Sequence, residues 1–211
     1  RSVTAPLSLI ISAFSPVTDV RRTLTPQIRT DIEGTGLMLI DLGMGRNRMG
    51  GSALAQTCKQ IGDTPPDLDD PAMLKALFDV IQKLNADGKL LAWHDRSDGG
   101  LFACICEMAF AGHCGIDIQL DSMMHATGVS GDAISVLFNE ELGGVIQIRR
   151  DDLRAVQAEF EAAGLADCLH ELGHLREDDQ VTIKHNRVPL FSADRIRLQQ
   201  AWSETSYQMQ K

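Results

Sequence analysis

Two aspartates, a serine and two glycines crowd into one heptapeptide, His94-Asp95-Arg96-Ser97-Asp98-Gly99-Gly100. Asp95 and Asp98 offer hard carboxylate oxygens of the kind that hold Mg²⁺, and Ser97 can donate a hydrogen bond to a phosphate oxygen. The short apolar run "LLAW" precedes them, and Leu101–Phe110, apolar nearly all round, follows. The heptapeptide therefore reads as a turn from a buried strand into a helix that must be covered on most sides. A glycine-rich turn at the carboxyl end of a strand can present backbone amides to an anion. An Asx-type turn that merely caps the helix needs one Asp or Ser, not three such groups. The whole heptapeptide favours a Mg²⁺–phosphate site.

Three other stretches carry groups that could do chemistry. "HELGH" (His170–His174) matches HExxH, which binds zinc only on a helix, where residues i and i+4 share a face. Gly173 weakens a helix, and "REDDQVTIKH" continues as a turn and a β-patterned run. The segment is expected to be extended, with His170 and His174 about 13 Å apart at ~3.3 Å per residue, and to bind no zinc. "GMGRNRMGGS", covering Gly43–Gly51 and Ser52, could cradle a phosphate with glycine amides and arginines. It fits neither GxGxxG nor GxxxxGK[ST], and reads on its own as a mobile connection. Glu140 and Glu141 in "FNEEL" could bind Mg²⁺ or move protons, although a solvated acidic turn is the better reading.

The elements that must hold these groups alternate between two periodicities. Continuous apolar runs at residues 7–14 and 37–42 read as buried strands, as do 90–93, 115–120 and 143–148. Asp70-Pro71 is a helix start, with Asp as N-cap and Pro at the first helical position. Met73, Leu74, Leu77, Phe78, Ile81 and Leu84 then fall at helical spacing on one face. Asp151–Ala163 is a second amphipathic helix, "CLHELGHL" and "QVTIKH" look like paired strands, and Ser192–Trp202 looks like a closing helix. Strands interleaved with helices predict an α/β (α+β) fold, a mixed sheet flanked by helices.

At 211 residues the chain can form one sizeable domain or one domain with part of another. A formal charge of −9 argues against nucleic acid or an anionic membrane as the main partner. No run approaches the ~18 apolar residues of a membrane span. Five cysteines without a CxxC pair fit thiols in a reducing cytoplasm better than a disulfide framework. The first residues, "RSVTAPLSLIISAF", lack Met and read as a strand in a piece of something longer.

"HDRSDGGL" resembles the strand–turn–helix signature in the C-terminal domain of the aminoimidazole-ribonucleotide-synthetase superfamily. "APLSLIISAFSPVTDVRRTLTP", "LMLIDLGMGRNRMGGSALAQ" and "LFNEELGGVIQI" fit the same superfamily in the same order, over about residues 3–150. The resemblance implies that residues 1–30 are the junction and first strand from a preceding N-terminal synthetase-like domain. Residues 31–211 would be the synthetase-like C-terminal domain with its closing helix. The "NRMGGSALAQ" and "LFNEELGG" phrasing is closest to the long, amidine-forming members, ATP-dependent and glutamine-using ligases of purine synthesis. Those carry two tandem synthetase modules and a glutaminase domain, and this chain resembles the C-terminal domain of the second module. By the resemblance Asp95 holds Mg²⁺ and Ser97 touches ATP or ADP, in a nucleotide site that is structural in the long enzymes. No catalytic residue is carried over, and the chain by itself is expected to be inactive. Its implied partners are the N-terminal synthetase-like domain, the glutaminase domain and nucleotide. The rival readings are a non-catalytic α/β scaffold, or a related enzyme such as aminoimidazole ribonucleotide synthetase or a hydrogenase-maturation relative.

Overall fold

The computed structural model describes residues 10–124 and 132–211. Its centre is the strand β1 (Thr35–Asp41), whose run Leu37-Met38-Leu39-Ile40 is buried on both faces. Successive side chains point to opposite sides, so Leu37 and Leu39 enter one apolar core while Met38 and Ile40 enter another. A strand covered on both faces reads as a continuous apolar run rather than an alternation.

Six further strands complete the sheet: β2 (Leu90–Asp95), β3 (Gly115–Gln119), β4 (Gly143–Arg149), β5 (Leu169–Arg176), β6 (Gln180–His185) and β7 (Val188–Asp194). Their order is β2-β4-β1-β5-β3-β6-β7. The β3–β6 pair is parallel and the other five pairs are antiparallel. One face is covered by α3 (Gly100–Gly112), α4 (Asp121–Met124) and α5 (Ala133–Phe138), contributing Leu101, Ile105, Met108, Met123 and Val136 to the first core. The other is covered by α2 (Pro71–Ala86) and α6 (Leu153–Ala162), contributing Leu77, Leu84, Val156 and Phe160 to the second. The mixed, helix-flanked sheet is thus as expected from the alternation of periodicities.

Four local expectations are corrected. Ile10–Phe14 forms no strand, and Ile10, Ile11 and Phe14 are exposed; among the described residues no strand pairs with it, and apolar β-branched composition alone supplies no ladder. Residues 7–9 of that expected strand lie outside the described residues. "CLHELGHL" and "QVTIKH" are strands but not partners, because β3 lies between them and pairs with both. The closing helix α7 (Arg195–Gln210) starts later than expected. Ser192–Asp194 finishes β7, and Asp194 turns the chain by accepting the Ile196 and Arg197 amides. Finally, α2 buries Leu77, Val80 and Leu84, whereas Leu74 and Phe78 stay exposed along a groove shared with residues 15–24.

The HExxH segment lies wholly within β5 and is extended, as expected. Gly173 is pinned between two strands, opposite Leu37 on β1 and Ile118 on β3. A Cβ there would fall 2.0 Å from the Asp117 carbonyl oxygen, a backbone atom that cannot swing away. Gly173→Ala should therefore lower unfolding free energy by about 2–3 kcal/mol in urea titrations. His174→Ala, at an exposed position of the same strand, should change it by under ~0.5 kcal/mol. Equal effects would show that the strand is not seated as described.

Candidate functional site

The heptapeptide leaves β2 at Asp95 and enters α3 at Gly100. Alternation sorts its side chains: Asp95 and Ser97 are exposed, while Arg96 between them is buried. The Ser97 hydroxyl donates to Asp95 Oδ2, and that bond, outweighing partial burial, lowers the Asp95 carboxyl below its ordinary range. Asp95 thus stays an anion aimed outward, with Ser97 beside it and the exposed Asp98 one residue on.

The glycines answer to geometry. Gly99 (φ +84°) and Gly100 (φ +67°) both take the left-handed conformation that side chains resist. A Cβ on Gly100 would also stand 2.6 Å from the Asn139 carbonyl oxygen. Gly99 is itself the N-cap of α3, so neither aspartate nor the serine caps that helix. The Gly99 amide is not open to an anion either, since it donates to Glu140 Oε1 at 2.9 Å.

Arg96 holds the turn from below. Its guanidinium pairs with Asp41, the last residue of β1, and donates through Nε to the Glu141 carbonyl at 2.7 Å. The Arg96 and Asp41 side chains are 1% and 8% exposed. Asp41 also accepts the Gly43 and Gly45 amides at 3.1 and 2.8 Å. Burial works to raise the Asp41 carboxyl, but the Arg96 charge and these hydrogen bonds outweigh it and leave the carboxyl below its ordinary range.

"FNEEL" forms the other clamp. Glu141 is 1% exposed, and its carboxylate accepts from Arg48 Nε and Nη2, each at 2.7 Å, and from the Arg48 amide at 3.0 Å. Arg48 also reaches Asp69 and the Asp67 carbonyl. Glu140 Oε1 accepts the Ala53 amide at 2.8 Å as well as that of Gly99, so one carboxylate oxygen joins the starts of α1 (Ala53–Thr57) and α3. Asn139 donates to Asn47. The solvated-turn reading of Glu140 and Glu141 is therefore corrected, because fixed donors meet both carboxylates. The Gly43–Gly51 loop is likewise no loose connection, since Asp41, Asn139 and Glu141 hold it.

Beneath the turn lies a cavity of about 400 Å³, lined among others by Asp41, Gly45, Asn47, Arg96, Ser122 and His170. Burial pushes the His170 imidazole below its ordinary value. Asp95 and Ser97 do not line this cavity, and His174 lines a different one, of about 340 Å³. The two histidines of "HELGH" thus open onto separate spaces.

A sequence profile described as AIR synthase related protein, C-terminal domain, matches residues 33–186. The chain belongs to that family. The fold of this AIR synthase related C-terminal domain is found in solved structures of low identity. "T. maritima PurL complexed with ATP" shares 13% identity at a TM-score of 0.66, over 85% of this chain and 27% of that one. "Phosphoribosylformylglycinamidine synthase II (TM1246) from Thermotoga maritima" shares 13% identity at 0.67, over 85% and 28%. E. coli HypE, a hydrogenase maturation protein, shares 20% at 0.52, over 82% and 52%. The chain thus spans about a quarter of the PurL chains it matches. Among the described residues no helix is long and apolar enough to cross a membrane.

Asp95 and Ser97 stand out in the sequence, whereas Arg96 and Asp41 show no role there. The available signal was a lone aspartate ending the apolar run "LMLID" and an arginine amid acidic residues; a charge that must be buried needs a partner. Arg96→Met should destabilise the domain by about 3–5 kcal/mol at neutral pH, because Asp41 is left buried and unpaired. The wild-type carboxyl is depressed, so its contribution is full above the ordinary value near ~3.9 and is lost as pH falls through the lower folded value. In Arg96→Met burial goes unopposed by the guanidinium, and Asp41 is relieved by protonation. The stability gap should accordingly narrow as pH falls toward ~4, and urea denaturation across pH would detect a gap that fails to do so.

Proposed function

We propose that this domain is part of an ATP-dependent, glutamine-using ligase that converts formylglycinamide ribonucleotide to formylglycinamidine ribonucleotide, phosphoribosylformylglycinamidine synthase in its long form. Residues 1–30 would be the junction from a preceding synthetase-like domain and 31–211 the C-terminal domain, in a cytoplasmic enzyme. In this reading Asp95 takes Mg²⁺ and Ser97 the nucleotide, ATP or ADP. That synthetase-like domain supplies the remaining metal ligands, and a glutaminase domain supplies ammonia. The site holds nucleotide as a structural element, and this chain alone does not turn over.

The observation that carries the proposal is the outward Asp95–Ser97 pair, set on a turn whose underside is fixed by buried charge. The donor set suits the ion. Among the described residues no three His, Cys, Asp or Glu side chains gather to form a metal cage. Mg²⁺ does not need one, because it is commonly held by one or two carboxylates together with phosphate oxygens and water. When bound, the cation offsets phosphate charge; Asp95 supplies an anionic oxygen and Ser97 a hydroxyl. Membership in the family and the fold shared with PurL support the reading. The likeness of "NRMGGSALAQ" and "LFNEELGG" to the amidine-forming members favours it over the other synthetases.

ADP retention and melting temperature, measured with Mg²⁺ on the chain together with its synthetase-like partner domain, test this. Asp95→Asn should weaken retention more than tenfold, because a carboxylate ligand becomes a neutral amide. Ser97→Ala should weaken it about fivefold, the loss of roughly one hydrogen bond. Both should lower the melting temperature only when ADP and Mg²⁺ are present, since a ligand stabilises the state that binds it. Unchanged retention in Asp95→Asn would leave the turn as a connection and favour the scaffold reading.

A further inference from the structure

Behind Asp95 stands His94, whose side chain is only 15% exposed. One ring nitrogen is committed: Nε2 lies 2.7 Å from Glu107 Oε2 on α3. Glu107 is held in turn, its Oε1 accepting the Trp202 indole N–H from α7 at 3.0 Å. The Trp202 ring also packs on Phe110, with centroids 6.0 Å apart. The other nitrogen, Nδ1, is buried and has no hydrogen-bond partner among the described residues. Its charged neighbour is Asp95, with Oδ1 at 3.5 Å. At that ion-pair distance the ring, after the Ser97 hydroxyl, helps to hold the carboxyl low, but the separation is longer than a well-formed N–H···O bond.

A buried nitrogen without a partner is costly unless something else fills the role. The Glu107 carboxylate accepts only, so the proton of a neutral imidazole belongs on Nε2, which leaves Nδ1 as an acceptor. That acceptor stands beside the carboxylate assigned to the cation. Mg²⁺ usually keeps several of its waters, and such waters are strong donors. We propose that His94 is a positioning residue of this site, its Nδ1 accepting from the hydration shell of the cation that Asp95 holds. Glu107 fixes the ring for that task, and Trp202 ties Glu107 to α7. Outer-shell partners of this kind orient metal ligands and commonly change affinity by ~10–100-fold when removed. The inference rests on the assignment of Asp95 to the cation.

Two measurements test it. In the chain alone, ¹⁵N spectra at alkaline pH should show His94 protonated at Nε2 and bare at Nδ1. Protonation at Nδ1 would overturn the proposal whatever binds at Asp95. The second measurement is calorimetry with Mg²⁺ and ADP on the chain together with its synthetase-like partner domain. His94→Phe should weaken Mg²⁺-dependent ADP binding about tenfold. His94→Asn, whose amide oxygen can stand near the Nδ1 place, should recover most of that loss, an outcome that general loosening of the fold would not give. If Asp95→Asn weakens binding but His94→Phe does not, His94 has no such role and the Asp95 assignment stands. If Asp95→Asn changes nothing, or the wild type binds no Mg²⁺–ADP, the assignment fails and the inference falls with it.

Discussion

The guanidinium of Arg96 lies where a charge is expensive, with its side chain 1% exposed and the sheet overhead. It is tolerable because Asp41 answers the charge and the Glu141 and Leu142 carbonyls accept from Nε and Nη2. Replacing such a pair by apolar residues can leave a protein as stable or more so, whereas removing one member strands the other. Specific geometry is what the pair provides here. It ties the end of β1 to the end of β2 across β4, and Asp41 reaches on to the Gly43 and Gly45 amides. Three segments distant in sequence thereby meet at one end of the sheet.

Charge is sorted by direction around that junction. Arg96, Asp41 and Glu141 point inward and satisfy one another or the backbone. Asp95, Ser97 and Asp98 point outward, and the basic group set beside Asp95 is the His94 ring, with Nδ1 3.5 Å from Oδ1. A turn meant only to enter a helix would not need this division, because Gly99 already serves as the N-cap. The inward set fixes the backbone, and the outward set is left with unspent acceptor capacity. Rigid support beneath a small number of convergent polar groups is what a binding site requires.

Much of the fold was legible because burial leaves a periodic trace. "LMLI" had to be a strand covered on both faces, and "HELGH" could not be a helical zinc motif with Gly173 in it and a β-patterned run behind it. Pairing was less legible. Nothing local in β5 or β6 says that β3 inserts between them, since that choice belongs to the cores on either side of the sheet. Asp95 and Ser97 stand out in the sequence by type and spacing, and the structure sets both on the exposed side of the turn. The roles of Glu140 and Glu141 could not be read there, because a carboxylate that accepts amides from residues 87 and 41 positions away looks, in sequence, like one facing water.

The central claim is that the Gly43–Gly51 loop, the "NEE" segment and the "HDRSDGG" turn form one preformed unit rather than three independent loops. Native-state hydrogen exchange reads this directly, through the Gly45, Arg48, Ala53 and Gly99 amides, whose acceptors are the carboxylates of Asp41, Glu141 and Glu140. The account predicts that these four amides open together with one shared free energy, and that Glu140→Gln speeds exchange at Ala53 and Gly99 in step. Rapid, unprotected exchange at Gly45 and Arg48 while Gly99 remains protected would contradict it.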